Sequence, residues 1–241
     1  MSDTASGRAA LGGRLQRLRE HLPTLVGLVL ALFGVWLVTP VVWVVGSATG
    51  LLSDPVPELV NAVAKWLVAA GVLVVVVAWE DRPPASMGIV RPSLADVGWG
   101  VAGAVVGIAW YRVSDEIVEW LGFESATAAA AWLAELSVPV LFVVTVTAVV
   151  TEELLFRGYP VERLTELTGD VRLGAAVAIV LFTIGHLPVW GPAGAVQIGV
   201  WSILVTAIYV RRRSVAACIL VHFLNHVYLV WLVLTGAVGR A

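Results

Sequence analysis

Apolar runs of about twenty residues recur along this chain, and they constrain its fold more than any motif does. A backbone in lipid has no water for its N–H and C=O groups, so each run must close its hydrogen bonds within a helix. Seven such runs are legible: about Leu25 to Val45, Leu59 to Trp79, Leu94 to Trp110, Val138 to Phe156, Leu173 to Leu187, Ala195 to Val210 and Val215 to Leu234. The chain of 241 residues is 59% hydrophobic and 13% charged, roughly half the charge of a soluble domain. The expected fold class is all-α: a polytopic transmembrane helix bundle of about seven spans, within a range of six to eight, enclosing a polar intramembrane cavity.

The punctuation between runs supports this division. Pro40 marks a kink in the first span, and the loop from Gly46 to Pro57 carries Asp54 and no basic residue. Lys65, near the start of the second span, is expected to snorkel to the interface. The stretch Glu80 to Ser93 holds Pro83, Pro84 and Pro92 and reads as a turn-rich break. Gly100, Gly103 and Gly107 give the third span a small-residue face for close helix contact. Tyr111 to Ser137 is the least apolar interior stretch, with Asp115, Glu116, Glu119, Glu124 and Glu135, and is expected to form one or two interfacial helices outside the core.

Arginine distribution sets the orientation. With the N-terminus inside, the inner segments carry Arg8, Arg14, Arg17 and Arg19, then Arg82 and Arg91, then Arg157, Arg163 and Arg172, then Arg211 to Arg213. The outer segments carry only Arg112 and Arg240, so the positive-inside rule gives a multi-pass protein of the plasma membrane with a cytoplasmic N-terminus. Residues 1–23 form a cytoplasmic juxtamembrane segment, with a short interfacial helix over Leu11 to Leu22. They do not resemble a cleaved signal peptide, because the first apolar run is too long and lacks a small-residue cleavage site. Residues 24–236 form a single transmembrane domain, with the motif-bearing core at about 138–234, and 237–241 are a tail. No basic patch points to nucleic acid. The one cysteine, Cys218, excludes an intrachain disulfide and reads as a packing residue.

Against this apolar background, Thr151-Glu152-Glu153-Leu154-Leu155-Phe156-Arg157-Gly158 stands out. Each charge in a lipid-embedded helix costs about 2.5–3.5 kcal/mol at the bilayer centre, so three together need partners or a task. Glu153 and Arg157 are four apart and share a helix face, so they can pair. Glu152, rotated about 100° away, is left free as a base. Later spans supply His186, in Phe182-Thr183-Ile184-Gly185-His186, and the stripe His222, Asn225 and His226. All histidines within the expected spans belong to this set, which favours one shared site over separate hydrogen bonds between helices. The alternative is an ion-pair network that only locks helices together. Ser202 and Ser214 are weak nucleophile candidates, and zinc-protease, serine-elbow and Walker motifs are absent from the sequence. Span edges leave one tension. Counted from Leu173 at about 1.5 Å per residue, His186 falls close to the far side of the membrane, deeper than Glu152.

Glu152-Glu153-x-x-x-Arg157, Phe182-x-x-x-His186 and His222 with Asn225, together with Met87-Gly88-Ile89, resemble the CAAX prenyl endopeptidase and bacteriocin-processing (CPBP, or Abi) family of intramembrane proteases. The resemblance covers about Val138 to Leu234. It implies an intramembrane endopeptidase in which Glu152 and His186 activate water and His222 with a polar residue one turn later stabilises the oxyanion. Glu153 and Arg157 would shape the site. The family often has Asn four residues after the histidine. Here that position is His226, with Asn225 one before it, so either could face the site. Glu152, His186 and His222 could form a Glu/His/His set for zinc, and a water held by Glu and His without metal reads equally well. The implied partners are membrane lipid and a peptide, lipidated or membrane-anchored protein substrate: a prenylated-type C-terminus, a bacteriocin leader or a membrane-anchored regulator. A non-catalytic membrane binding or immunity protein and a small proton-coupled transporter are the alternatives from other classes.

Overall fold

The structure, a computed structural model, describes residues 2–50 and 57–237, with side chains from Glu20 onward. Asp54 and Arg240 lie outside the described residues. Every regular element among the described residues is helical. Helix α1 spans Ser2–Ala48, α2 Pro57–Val74 and α3 Leu94–Trp120; α4 is the short Ala126–Ala129, and α5 spans Val138–Thr147. Helix α6 covers Tyr159–Thr168, α7 Val171–Arg212 and α8 Val215–Leu234. Among the described residues, six helices are long and apolar enough to cross a membrane. Helix α7, 42 residues long, is broken at Gly191, whose φ of 63° and ψ of 176° are not helical. Its two arms correspond to the two separate spans expected there, with the break at the Gly191-Pro192 turn. The protein is an integral membrane helix bundle.

The distribution of side chains is that of a protein dissolved in lipid. Large apolar residues such as Val105, Phe142 and Val196 face outward, whereas Glu152, Glu153, Arg157 and Arg163 are buried. Lipid tails are as apolar as leucine, so burial by itself drives little association, and close packing with internal polar bonds must hold the helices. Both are visible. Helix α3 packs on α8 through the expected glycine face. A Cβ on Gly103 would come within 2.8 Å of Val221, and one on Gly100 within 2.7 Å of Leu220. Gln197 ties α3 to α7 and α4, donating to Ser114 Oγ and Asp115 Oδ1 and accepting from the Ala126 amide.

Four expectations about the elements need correction. Helix α1 runs unbroken through Pro23, so no separate interfacial helix precedes the first span; a proline removes one backbone donor, which a helix can tolerate. Helix α3 continues from Trp110 to Trp120, because Asp115 and Ser114 find a partner in Gln197. Ala126 and Ala130 are buried against the bundle rather than lying outside it. Most consequential is the motif-bearing helix. It does not stop at Phe156 but widens into a π-helix over Ala148–Gly158 and passes directly into α6. The result is one rod, Val138–Thr168, closed only at Gly169, whose φ of 74° suits glycine.

At the far end of that rod a polar network centred on Glu80, beyond the end of α2, joins α1 to α6, with Thr24 of α1 donating to Glu80 Oε1 at 3.1 Å. Arg163 donates to Glu80 Oε2 at 2.8 Å and to Ser86 Oγ at 2.8 Å, while the Tyr159 hydroxyl donates to Glu80 Oε1 at 2.7 Å. Arg163 is fully buried and the Glu80 side chain is 4% exposed. Burial works to raise the Glu80 carboxyl, but the hydrogen bonds from Arg163 and Tyr159 and the Arg163 charge outweigh it and hold the carboxyl below its ordinary value. Arg163→Met leaves the Glu80 charge uncompensated and should cost about 3–5 kcal/mol, read as a lowered thermal midpoint in detergent. The stabilisation from this depressed carboxyl is fully present above its ordinary value of about 4.5 and is lost as pH falls through the lower folded value. The Glu80→Gln variant should lack that acid limb.

Candidate active site

The π-helical segment carries both acidic residues into the middle of the bundle and turns them apart. Thr151 Oγ1 donates to the Thr147 carbonyl at its start, and the Tyr159 amide bonds back five residues to Leu154 at its end. π-Helical turns are rare and recur at functional sites. Within this one, Glu153 and Arg157 keep the expected i,i+4 contact, Nη1 to Oε1 at 3.2 Å, with both side chains fully buried. Arg157 Nη2 donates to Ser202 Oγ at 2.8 Å, and the guanidinium lies 4.2 Å from the Phe182 ring centre. Arg157 is therefore a core residue and not part of an inner loop. Ser202 is a buried acceptor for it, and Ser214 caps α8.

Glu153 also accepts from His222 Nδ1 at 2.7 Å. A carboxylate can only accept, so Nδ1 carries a proton and Nε2 is the atom left for other work. The His222 ring packs edge-on to Trp201 and to His226, with centres 4.9 and 5.0 Å apart. Asn225 is occupied on both sides: Oδ1 accepts from Trp201 Nε1 at 2.8 Å, and Nδ2 donates to the Ala104 carbonyl at 2.9 Å. His226 Nδ1 is buried without a partner. Both residues line the central cavity, but Asn225 has spent its polar atoms on joining α8 to α3 and α7.

Glu152 faces the other way. Its Oε2 lies 4.0 Å from His186 Nε2. His186 Nδ1 is 2.7 Å from the Phe182 carbonyl, one turn back on its own helix. The carbonyl accepts, so Nδ1 is protonated and a neutral ring presents its Nε2 lone pair toward Glu152. The Phe182 ring, 4.3 Å from the imidazole centre, packs against the ring. Two acceptors 4.0 Å apart leave the separation that one water can bridge by donating to both.

The depth conflict disappears with the longer rod. Glu152 lies as far from Thr168 as His186 lies from Val171, to within one residue. Helix α8 starts beside Gly158, where a Cβ would meet Val215 at 3.2 Å, so His222 and Glu152 also share a level.

Lys65 was not foreseen as part of this site. Instead of snorkelling to the interface it crosses to Glu152, with Nζ 2.5 Å from Oε1, so Glu152 is not an unpaired carboxylate. Trp201 was missed too, since nothing in its spacing marks it as the partner of Asn225. All four side chains, Lys65, Glu152, His186 and His222, line a cavity of about 760 Å³. The cavity was expected to be built chiefly from the fourth, fifth and seventh spans, but α1, α2 and α3 contribute as well, through Trp36, Asn61 and Tyr111 among others. The Glu/His/His set does not suit zinc, because an ammonium already sits on Glu152 Oε1 where a second cation would be repelled. Among the described residues no three His, Cys, Asp or Glu side chains group as metal ligands.

Gly107 is the tightest point of the α3–α8 contact. A Cβ there would lie 2.2 Å from Asn225 Oδ1 and 3.0 Å from Trp201 Nε1. Gly107→Ala should displace Asn225 and lower the thermal midpoint. Gly98→Ala on the same helix meets nothing within 4 Å and should be neutral or slightly stabilising by helix propensity, about 1 kcal/mol at most.

Comparison with known proteins finds one family match. Residues 134–228 match the family described as Rce1-like, type II CAAX prenyl endopeptidase Rce1-like. Neither the curated proteins nor the solved structures compared with the chain gave a match. The matched segment begins just before α5 and ends within α8, so it carries Glu152, Glu153, Arg157, His186, His222, Asn225 and His226 together. The match over residues 134–228 makes this segment similar to the type II CAAX prenyl endopeptidases and supports the CAAX protease (CPBP) family.

Proposed function

We propose that the protein is an intramembrane endopeptidase that hydrolyses a peptide bond with a water held between Glu152 and His186. The observation that carries this reading is the 4.0 Å gap between Glu152 Oε2 and His186 Nε2, inside a cavity lined mostly by apolar side chains. A water donating one proton to each acceptor keeps a lone pair free for attack on a carbonyl carbon. As the new C–O bond forms, the water proton passes to Glu152, which then delivers it to the departing amine. The carbonyl oxygen becomes an oxyanion and needs donors aimed at it. His226, with an unpartnered ring nitrogen, and His222, which donates from Nε2 only when that atom is protonated as well as the Nδ1 held by Glu153, are the donors the geometry favours; Asn225 positions them through Trp201. Phe182 supports the His186 ring, and Glu153 with Arg157 fixes the His222 side.

The cavity suits an apolar, lipidated or membrane-anchored substrate, and the family description makes an isoprenylated C-terminal peptide the first to test. Gathering of Arg82, Arg163, Arg212 and Arg213 in the polar networks at one end of the bundle supports a cytoplasmic location for that end. On this reading the protein works in the plasma membrane with its N-terminus inside.

In proteoliposomes with a quenched fluorescent isoprenylated peptide, Glu152→Gln and His186→Gln should each lower turnover about 10²–10⁴-fold; His186→Gln should leave the thermal midpoint near that of the parent, whereas Glu152→Gln, which leaves the Lys65 ammonium without its counter-charge, should lower it. Wild-type turnover by Glu152→Gln would remove the assignment. His226→Phe should lower turnover with little change in stability, whereas Asn225→Ala should lower stability first. Because the donor set does not suit zinc, incubation with phenanthroline should leave turnover unchanged; inhibition reversed by added zinc would contradict that.

A further inference from the structure

Charged and titratable groups approach Glu152 from three other elements: Lys65 from α2, His186 from the first arm of α7, and His222 with His226 from α8. Its neighbour Glu153 is turned away, toward Arg157 and His222. Of the groups facing Glu152, only Lys65 carries a full positive charge independent of an imidazole's protonation. It is also the one Lys or Arg among the described residues lining the cavity. The pair is poorly exposed, with side chains 17% and 11% accessible, so solvent screens it weakly.

Geometry divides the carboxylate between two tasks. Oε1 is taken by Lys65 at 2.5 Å, and Oε2 faces His186. A carboxylate in apolar surroundings without a counter-charge takes up a proton rather than remain ionised. A protonated Glu152 would donate to His186 Nε2 and could not accept a proton from water. The register that delivers Lys65 is fixed next door, where Trp66 Nε1 donates to Thr147 Oγ1 at 3.0 Å and ties α2 to α5.

We propose that Lys65 is a positioning residue of the active site, supplying the counter-charge that keeps Glu152 anionic and turned with Oε2 toward His186. Helix α2, which lies outside the Rce1-like segment at residues 134–228, is then an integral part of the site. The catalytic consequence rests on the peptidase reading, but the pairing itself does not.

Infrared spectroscopy of the full chain in nanodiscs tests the pairing without substrate. The difference between parent and Glu152→Gln identifies the Glu152 band, expected as an ionised carboxylate at neutral pH. In Lys65→Met that band should convert to a carboxylic acid, and Lys65→Gln, which keeps a donor without charge, should behave the same way. Lys65→Arg should keep the carboxylate. A carboxylate band that persists in Lys65→Met and Lys65→Gln overturns the proposal. With the isoprenylated peptide, Lys65→Met should lose about a hundredfold in kcat with KM little changed, and Lys65→Arg should recover most of it. Equal loss in Lys65→Arg and Lys65→Met would also overturn it, because charge would not be the deciding property. If the infrared band converts as expected but the parent cleaves no peptide, the peptidase reading fails and the ion pair stands.

Discussion

The Arg157 guanidinium is the point on which the bundle's interior depends. It pairs with Glu153 on its own helix, donates to Ser202 on the second arm of α7 and stacks on Phe182 of the first arm. Through Glu153 the same cluster reaches His222 on α8. An unpaired charge at this depth would be among the most expensive features a membrane helix can carry. Distributing it over three helices turns that expense into a restraint, because no one helix can shift without leaving a buried charge or donor unpaired. The same contacts set the relative depth of Phe182 and His222, and with them the histidines.

Two neighbouring carboxylates thereby acquire different surroundings. Glu153 is enclosed by Arg157 and His222 with no exposed surface, whereas Glu152 borders a cavity and meets Lys65 and His186. The π-helical backbone between Ala148 and Gly158 carries both. Rotation about the helix axis separates the pair into one residue that holds the architecture and one that faces open space. His186 and His222 are separated in the same way, each with one ring nitrogen committed to an acceptor and the other left over. This repeated use of half a side chain for fixation and half for the cavity is what a preorganised site requires.

Much of the fold was legible because lipid imposes simple rules on sequence. Apolar runs, the Gly100/Gly103/Gly107 face, the break near Gly191-Pro192 and the Glu153–Arg157 pair all follow from local spacing, and all are found. What failed were boundaries and long-range partners. Arg157 and Arg163 look like the residues of an inner loop, yet both are buried because Glu153 and Glu80 receive them. Lys65 looks like an interfacial lysine, and nothing in the sequence around it reveals a carboxylate on another helix eighty-seven residues later. The π-helical widening has no counterpart in the apolar pattern, which reads the same for either winding.

Sequence by itself determined that the chain is helical and lies in the membrane, and that its acids and histidines form a small set too costly to scatter in lipid. Periodicity and transfer free energy are local properties, so they can be read from neighbours in the chain. Only the tertiary structure decided which carboxylate takes which partner, that Asn225 rather than His226 is tied between helices, and that Lys65 completes the group around Glu152. Those outcomes depend on helix depth and rotation, which are set by packing between segments far apart in sequence.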